Sequence, residues 1–220
     1  MNRNRKSALR QIKRRAKRKQ TSAPIPSLNG FAFEVLTRPD VSKEHKSVFK
    51  KMLNNNLERM KNTDAQSDIN EALDLIKKTF EAEPKPISCG ASCSACCHQK
   101  VDILSIEEEP IWDYVQKNDI KINEEKLLLQ AKTENIYSLD YEDRGCVFLD
   151  ENDNCRIYEV RPLVCRRYYV LSDPKHCKTA DRSLIDYSSN FSCDTFLSGL
   201  MTKYSFQSIA IFLKKKLNLN

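Results

Sequence analysis

The sequence predicts a mostly α-helical fold: a small helical domain with a short β-hairpin, organised around a cysteine-ligated metal centre. Three observations carry this expectation. Apolar residues recur at helical spacing over several long stretches. Two short β-prone segments flank a single turn. Nine cysteines lie between residues 89 and 193 of a chain of 220 residues.

The first element lies between Val41 and Glu81, where the pattern is helical. Thr63 followed by Gln66 reads as a capping box. Ile69, Leu73, Ile76 and Phe80 then form an apolar stripe, and Pro84 and Pro86 end it. Ser105 and Glu108 suggest another helix start leading to Ile111, Trp112 and Val115, with Pro110 placed awkwardly for it. Ile122 to Leu139 reads as a further helix. Cys146-Val-Phe-Leu149 and Cys155-Arg-Ile-Tyr158 flank the turn-forming run Asp150-Glu-Asn-Asp-Asn154, which predicts the hairpin. A closing helix is expected through Phe196, Leu200, Tyr204, Ile209, Phe212, Leu213 and Leu217, with Lys214 to Lys216 suiting its C-terminal dipole. No internal repeat is visible.

Charge divides the chain. Residues 1–33 carry ten Lys or Arg and no acid, whereas the other 27 of the 37 bases face 30 acids. The net charge of +7 therefore belongs to a tail, residues 1–29, read as disordered. Ala23-Pro-Ile-Pro-Ser27 is its linker. Such a tail is a solvated extension, a contact for RNA or another polyanion, or an organellar presequence; its charge is packed densely for the last. Residues 30–84 are expected to form a helical segment packing on the core, and residues 85–217 a cysteine-cluster metal-binding domain. No run approaches the ~18 apolar residues of a membrane span, and Met1 to Gln20 is too basic and polar for a secretory h-region. A cytoplasmic location is expected, where cysteines serve as ligands or reactive thiols.

Four cysteines fall within nine residues, Cys89-Gly-Ala-Ser-Cys93-Ser-Ala-Cys96-Cys97. The intervening residues are small, so the backbone can wrap tightly, and Cys-x2-Cys spacing lets two sulfurs reach one ion at about 2.3 Å. Iron–sulfur clusters use equally dense runs. A local disulfide needs an oxidising compartment, and a thioredoxin-like role for Cys93 and Cys96 would leave the other cysteines idle. Cys146, Cys155 and Cys165 form the second half of the constellation, around the hairpin. Ligands from both segments would make the site a clasp that contributes folding energy. Arg161, Arg166 and Arg167 bracket Cys165, as solvated surface charge or as groups that offset thiolate charge.

These residues carry a resemblance. Cys89, Cys93, Cys96 and Cys97, followed by Gly145-Cys-Val-Phe-Leu149 and Cys155-Arg-Ile-Tyr-Glu-Val-Arg161-Pro-Leu-Val-Cys165-Arg166, resemble the YkgJ-type CxxCxxCC cysteine-cluster family over about residues 85–180. The family is described as a zinc- or iron-chelating domain. The first gap here holds three residues rather than two, which sets Cys89 apart from its neighbours. The resemblance implies metal binding through these cysteines, brings no assigned reaction, and adds Cys177 as a further ligand. Flagellin lysine methylases lie in the family's neighbourhood, but no nucleotide or methyl-donor loop is recognisable here.

Two arrangements stay open: zinc held by four thiolates at each of two sites, or iron, including a [4Fe-4S] cluster on four of the cysteines. The lack of histidine in the pattern tilts the reading slightly towards iron. Cys193 reads as a small buried hydrophobe, and His98 as an ordinary exposed histidine. Glu107, Glu108 and Glu109 read as a solvated helix face. No phosphate-binding or nucleophile-elbow motif occurs. The chain is thus expected to be a metal-binding protein, or alternatively a metal- or Fe–S-dependent redox or protein-modifying enzyme whose chemistry belongs to the metal.

Overall fold

Two capped helices lead the main described part of the chain. In the computed structural model, which describes residues 36, 41–90, 93–178, 184–186 and 190–219, α1 spans Lys43–Met60 and α2 spans Ala65–Glu81. Ser42 caps α1 by accepting the His45 N–H at 3.1 Å. Asp64, not Thr63, caps α2, accepting the Ser67 N–H at 2.7 Å. A carboxylate satisfies the free N–H and also meets the positive end of the helix dipole, so it displaces the neighbouring hydroxyl. Thr63 instead donates to Asp68 at 2.5 Å. The basic tail, residues 1–29, lies outside the described residues.

Both helices pack on α7, Phe191–Lys203, which is buried along every residue from Cys193 to Met201. A helix buried on all sides belongs in the middle of a layer, and its polar Asp194, Thr195 and Ser198 are hydrogen-bonded there. Met60, Ala72, Ile76, Phe196, Leu197 and Leu200 form this core. Gly199 permits the close approach of α1: a Cβ there would lie 3.1 Å from Met60 Sδ. The layer is closed by Asp68, 1% exposed, which receives hydrogen bonds from Lys203 Nζ at 2.7 Å and Tyr204 Oη at 2.6 Å.

The expected closing helix is two helices. α7 ends at Lys203, the chain extends through β2 (Phe206–Ser208), and α8 runs Ile209–Lys216 with Ser208 as its cap. The break has a physical cause. Tyr204-Ser-Phe-Gln-Ser208 holds aromatic and hydroxyl residues that favour extended backbone and caps, and β1 (Asp102–Leu104) offers a partner. The strands pair antiparallel, Asp102 opposite Ser208 and Leu104 opposite Phe206. This pair, rather than the expected hairpin, is the two-stranded sheet.

α3 spans Ser105–Lys117 and tolerates Pro110 in its second turn. α4 is shorter than expected, Glu124–Lys132, because Asn135 caps a separate 3-10 turn at Ile136–Ser138. α5 (Tyr141–Arg144) and α6 (Leu163–Arg167) complete eight α-helices among the described residues, in a mostly helical fold. A second core of Ile103, Ile111, Val115, Leu127, Phe148 and Phe212 joins α3, α4, α8 and the sheet. Among the described residues, no helix is long and apolar enough to cross a membrane.

Candidate metal centre

The segment that carries the first cysteines leaves α2 in extended form and is pinned to the chain after α6. Ser88 N donates to Val170 O at 3.0 Å, and Val170 N donates to Cys89 Sγ at 3.3 Å. Cys96 and Cys97 then ride on one 3-10 turn, Ala95–His98. Short polar and small residues suit this tight wrapping. The turn docks on the second cysteine segment through a backbone bond, Cys146 N to Cys97 O, at 2.9 Å.

The hairpin exists in minimal form. Leu149 and Cys155 make one antiparallel bridge. The Asp150 carboxylate holds the turn by accepting the N–H groups of Asn152 and Asn154, both at 2.8 Å. Asp153 takes φ 63° in that turn, a conformation that Asp and Asn tolerate better than most residues. Cys146 and Cys155 therefore sit on either side of a rigid loop, and α6 brings Cys165 from beyond it.

Seven thiols form one chain of neighbours. The Cys97 thiol hydrogen-bonds with Cys96 and also lies in the field of Cys146 and Cys165. Cys165 feels Cys146, Cys96 and Cys155, and Cys89 feels Cys93 and Cys96. Cys177 stands to one side, buried with Ala95 and Val170 in a small apolar cluster that Cys89 joins. Cys193 is elsewhere, fully buried in α7 beside Thr79 and Arg167. None of the nine is joined in a disulfide. Among the described residues, no three His, Cys, Asp or Glu side chains meet as a ready-made metal cage.

The surroundings of these thiols shift their ionisation. Burial pushes the Cys146 thiol up to about 11, with Cys155 adding to the effect. Burial, then neighbouring thiols, lifts Cys165 well above the usual thiol range. The hydrogen bond with Cys96, then burial, raises Cys97. Cys155 rises through burial, opposed by Arg161 and Arg156. Protons therefore hold these groups neutral at pH 7, and neutral thiols have no reason to converge. A thiolate-binding cation would replace those protons and draw the resulting thiolates together.

The charged surroundings differ from the sequence expectation in three places. Glu107 is 9% exposed rather than solvated. Its carboxylate accepts Leu104 N at 2.9 Å and Leu163 N at 2.7 Å, capping α3 and α6 together. The signal was legible: Glu107 stands three residues after the N-cap Leu104 of α3, the capping-box position. Arg167 does not serve the thiolates beside Cys165; it pairs with Asp194 at 2.8 Å and 3.1 Å, both side chains buried. His98 is buried rather than exposed. Its Nδ1 lies 3.1 Å from Ser94 O, and its ring stacks on Tyr141 at 4.0 Å. Burial lowers its pKa, with Lys126 and Arg144 pushing the same way.

Beside Cys146 opens a cleft of about 790 Å³, walled by His98, Lys126, Tyr141 and Arg156.

Residues 88–185 match the CxxCxxCC family model. That family is described as a "putative zinc- or iron-chelating domain". The match spans all seven neighbouring thiols and Cys177, and leaves Cys193 outside. No curated protein and no solved structure matches the chain. The donor chemistry fits the family's description: soft thiolates suit zinc and iron, and cationic groups stand where they favour thiolate, Lys126 and Arg156 at Cys146, Arg161 at Cys155.

Proposed function

We propose that this chain binds zinc or iron through the thiolates of Cys89, Cys93, Cys96 and Cys97 on one side and Cys146, Cys155 and Cys165 on the other. Cys177, packed in the small cluster that Cys89 joins, is the eighth thiol of the set. The observation that carries this reading is the concentration of seven neighbouring thiols at the junction of the 3-10 turn, the hairpin and α6, five of which (Cys89, Cys97, Cys146, Cys155 and Cys165) are pushed above the usual thiol range. Burying that many thiols side by side is unfavourable for the apoprotein once they ionise, and it becomes favourable when one or more metal ions take the charge. Eight thiolates suffice for two four-coordinate zinc ions, and four suffice for one [4Fe-4S] cluster.

Residues 85–217 form the metal-binding domain in this reading, with α1 and α2 of the 30–84 segment supplying the helical layer on α7. The acid-free basic tail contacts RNA or another polyanion by its charge density alone. Nine cysteines without a disulfide fit a reducing cytoplasm. A second reading, an enzyme that uses the centre, is favoured by one observation: the cleft whose wall includes Cys146.

Anaerobic purification, metal analysis and an absorption spectrum test the proposal together. A colourless protein with stoichiometric zinc supports closed thiolate sites. A brown protein with broad visible charge-transfer bands supports iron–sulfur. A protein that carries no metal and takes up neither zinc nor iron ends the proposal.

A further inference from the structure

We infer, resting on the metal binding proposed above, that the thiols divide into two four-thiolate centres, each taking one tetrahedral Zn2+ or Fe2+ ion. Cys97, Cys146, Cys155 and Cys165 form a structural centre, and Cys89, Cys93, Cys96 and Cys177 an exchangeable one. The division follows the packing. Cys146 and Cys155 lie against the main core with Val147, Phe148 and Ile157, whereas Cys89 and Cys177 belong to the small cluster of Ala95 and Val170. The 3-10 turn Ala95–His98 stands between the two. On one side Ala95 is buried in the small cluster, and the 3-10 turn that carries Cys177, Pro174–Lys178, packs against it. On the other side Cys97 O accepts Cys146 N at 2.9 Å.

The adjacent pair Cys96 and Cys97 sets the membership. A 3-10 helix has about three residues per turn, so these two side chains leave the backbone about a third of a turn apart and aim at different ions. Cys97, tied through its backbone to Cys146, brings the three thiols of the hairpin and α6 to the four that saturate a tetrahedral ion. Cys96 stands beside Cys89 and completes the other set. It also neighbours Cys155 and Cys165, so the two centres adjoin at this residue.

Their supports are unequal. The hairpin thiols sit on a turn held by the Asp150 carboxylate and the Leu149–Cys155 bridge, and Glu107 fixes the start of α6 by accepting Leu163 N at 2.7 Å. Cys89 and Cys93 lie outside any helix or strand. Among the described residues neither set is already closed as a cage, so each closes on its ion by a local movement. A segment held by few apolar contacts opens more readily than one built into the core, and an opened segment releases its ion.

Zinc counting on full-length protein, isolated anaerobically from zinc-supplemented cells, tests the division. The protein is expected to hold about two ions per chain, and EDTA should remove the first at least about tenfold faster than the second, with the far-ultraviolet circular dichroism unchanged between the two steps. Cys89→Ser and Cys177→Ser should each lower the content to about one ion, the slowly released one. Cys155→Ser should lose the slow ion; should it fail to fold, the Cys89 and Cys177 variants and the EDTA time course still decide. One ion per chain in the unaltered protein overturns the division. So does a four-iron cluster in place of two ions, release of both ions at one rate, or a Cys177→Ser variant that keeps both ions or loses both. A chain that holds no metal at all is a separate result, which ends the metal binding itself and this division with it.

Discussion

The layer of α1, α2 and α7 and the sulfur-rich junction solve opposite problems. In the helical layer every buried charge has found its partner: Asp68 takes Lys203 and Tyr204, and Asp194 takes Arg167 and the Asn190 N–H. Apolar burial and paired charges make that region complete as it stands. The junction carries thiols pushed out of their ordinary range by burial and by each other, and beside them buried Tyr141 and Arg156 atoms with no hydrogen-bond partner. One region is finished by its own side chains. The other is built to be finished by something it binds, and α6 is the hinge between them, with Cys165 on one side and Arg167 on the other.

Completing or emptying the junction should therefore have the largest effect. Stripping metal with a strong chelator is expected to lower stability by more than ~5 kcal/mol, since binding free energy at thiolate sites becomes folding free energy. Cys96→Ser or Cys165→Ser should lower bound metal, because a hard hydroxyl replaces a soft thiolate. Metal analysis with urea denaturation of loaded and stripped protein reads both. Unchanged metal in both variants would remove them from the ligand set.

Next comes the hinge. Arg167→Ala leaves the Asp194 carboxylate buried without its cation and should cost about 3–5 kcal/mol. The double change Arg167→Met with Asp194→Leu removes both charges and should recover most of that loss. If the double variant is as unstable as the single one, the pair orders α6 by its geometry and not merely by cancelling charge.

Much of this division was legible in the residues. The cysteine spacing marked the junction, and the stripe from Ile69 to Phe80 marked a packed helix. What escaped had local causes. Phe206 reads as part of a helical stripe until a partner strand is known, because β1 lies about a hundred residues away in the chain and pairing at that distance leaves no local pattern. Glu107 was grouped with Glu108 and Glu109, although only the first occupies the position that reaches a helix N-terminus. His98 is buried by Tyr141, a contact that sequence spacing does not encode. The break at Thr133 to Asn135 is visible only as a choice between two weak signals, and there the asparagine cap prevailed.

The two regions should also differ in alkali. Thiols whose folded values lie above the ordinary 9.0 stabilise the apoprotein below that pH, where both states hold the proton. As pH rises from 9.0 towards about 11, the value reached by Cys146, the unfolded chain ionises first and stability is lost. Metal-loaded protein has already surrendered the protons of its ligands, so its stability should fall less over the same window, chiefly through Cys193, which is also pushed up to about 11. Urea midpoints measured at about pH 8 and pH 10 for both forms check this. A parallel fall in the two forms would show that the thiols respond to pH independently of metal.

The smallest expected effect is at Cys193, and it tests the boundary between the regions. Cys193 is fully buried, its thiol pushed up to about 11 chiefly by burial and held beside Thr79 and Arg167. It lies outside the family match and in the apolar core that also contains Ala72, Phe196 and Leu200. A buried sulfur in such a place acts as a small hydrophobe. Cys193→Ala should then cost about 1–2 kcal/mol, the loss of one buried heavy atom's contacts and the cavity it leaves. Cys193→Ser should keep a polar partner for Thr79 and Arg167 but bury a more polar atom, so its cost should be of the same order. Neither change should alter metal content, because the thiols that neighbour one another are on the turn, the hairpin and α6. Loss of metal in Cys193→Ala with the fold intact by circular dichroism would carry the centre into α7, and the separation of the two regions would fail at that residue.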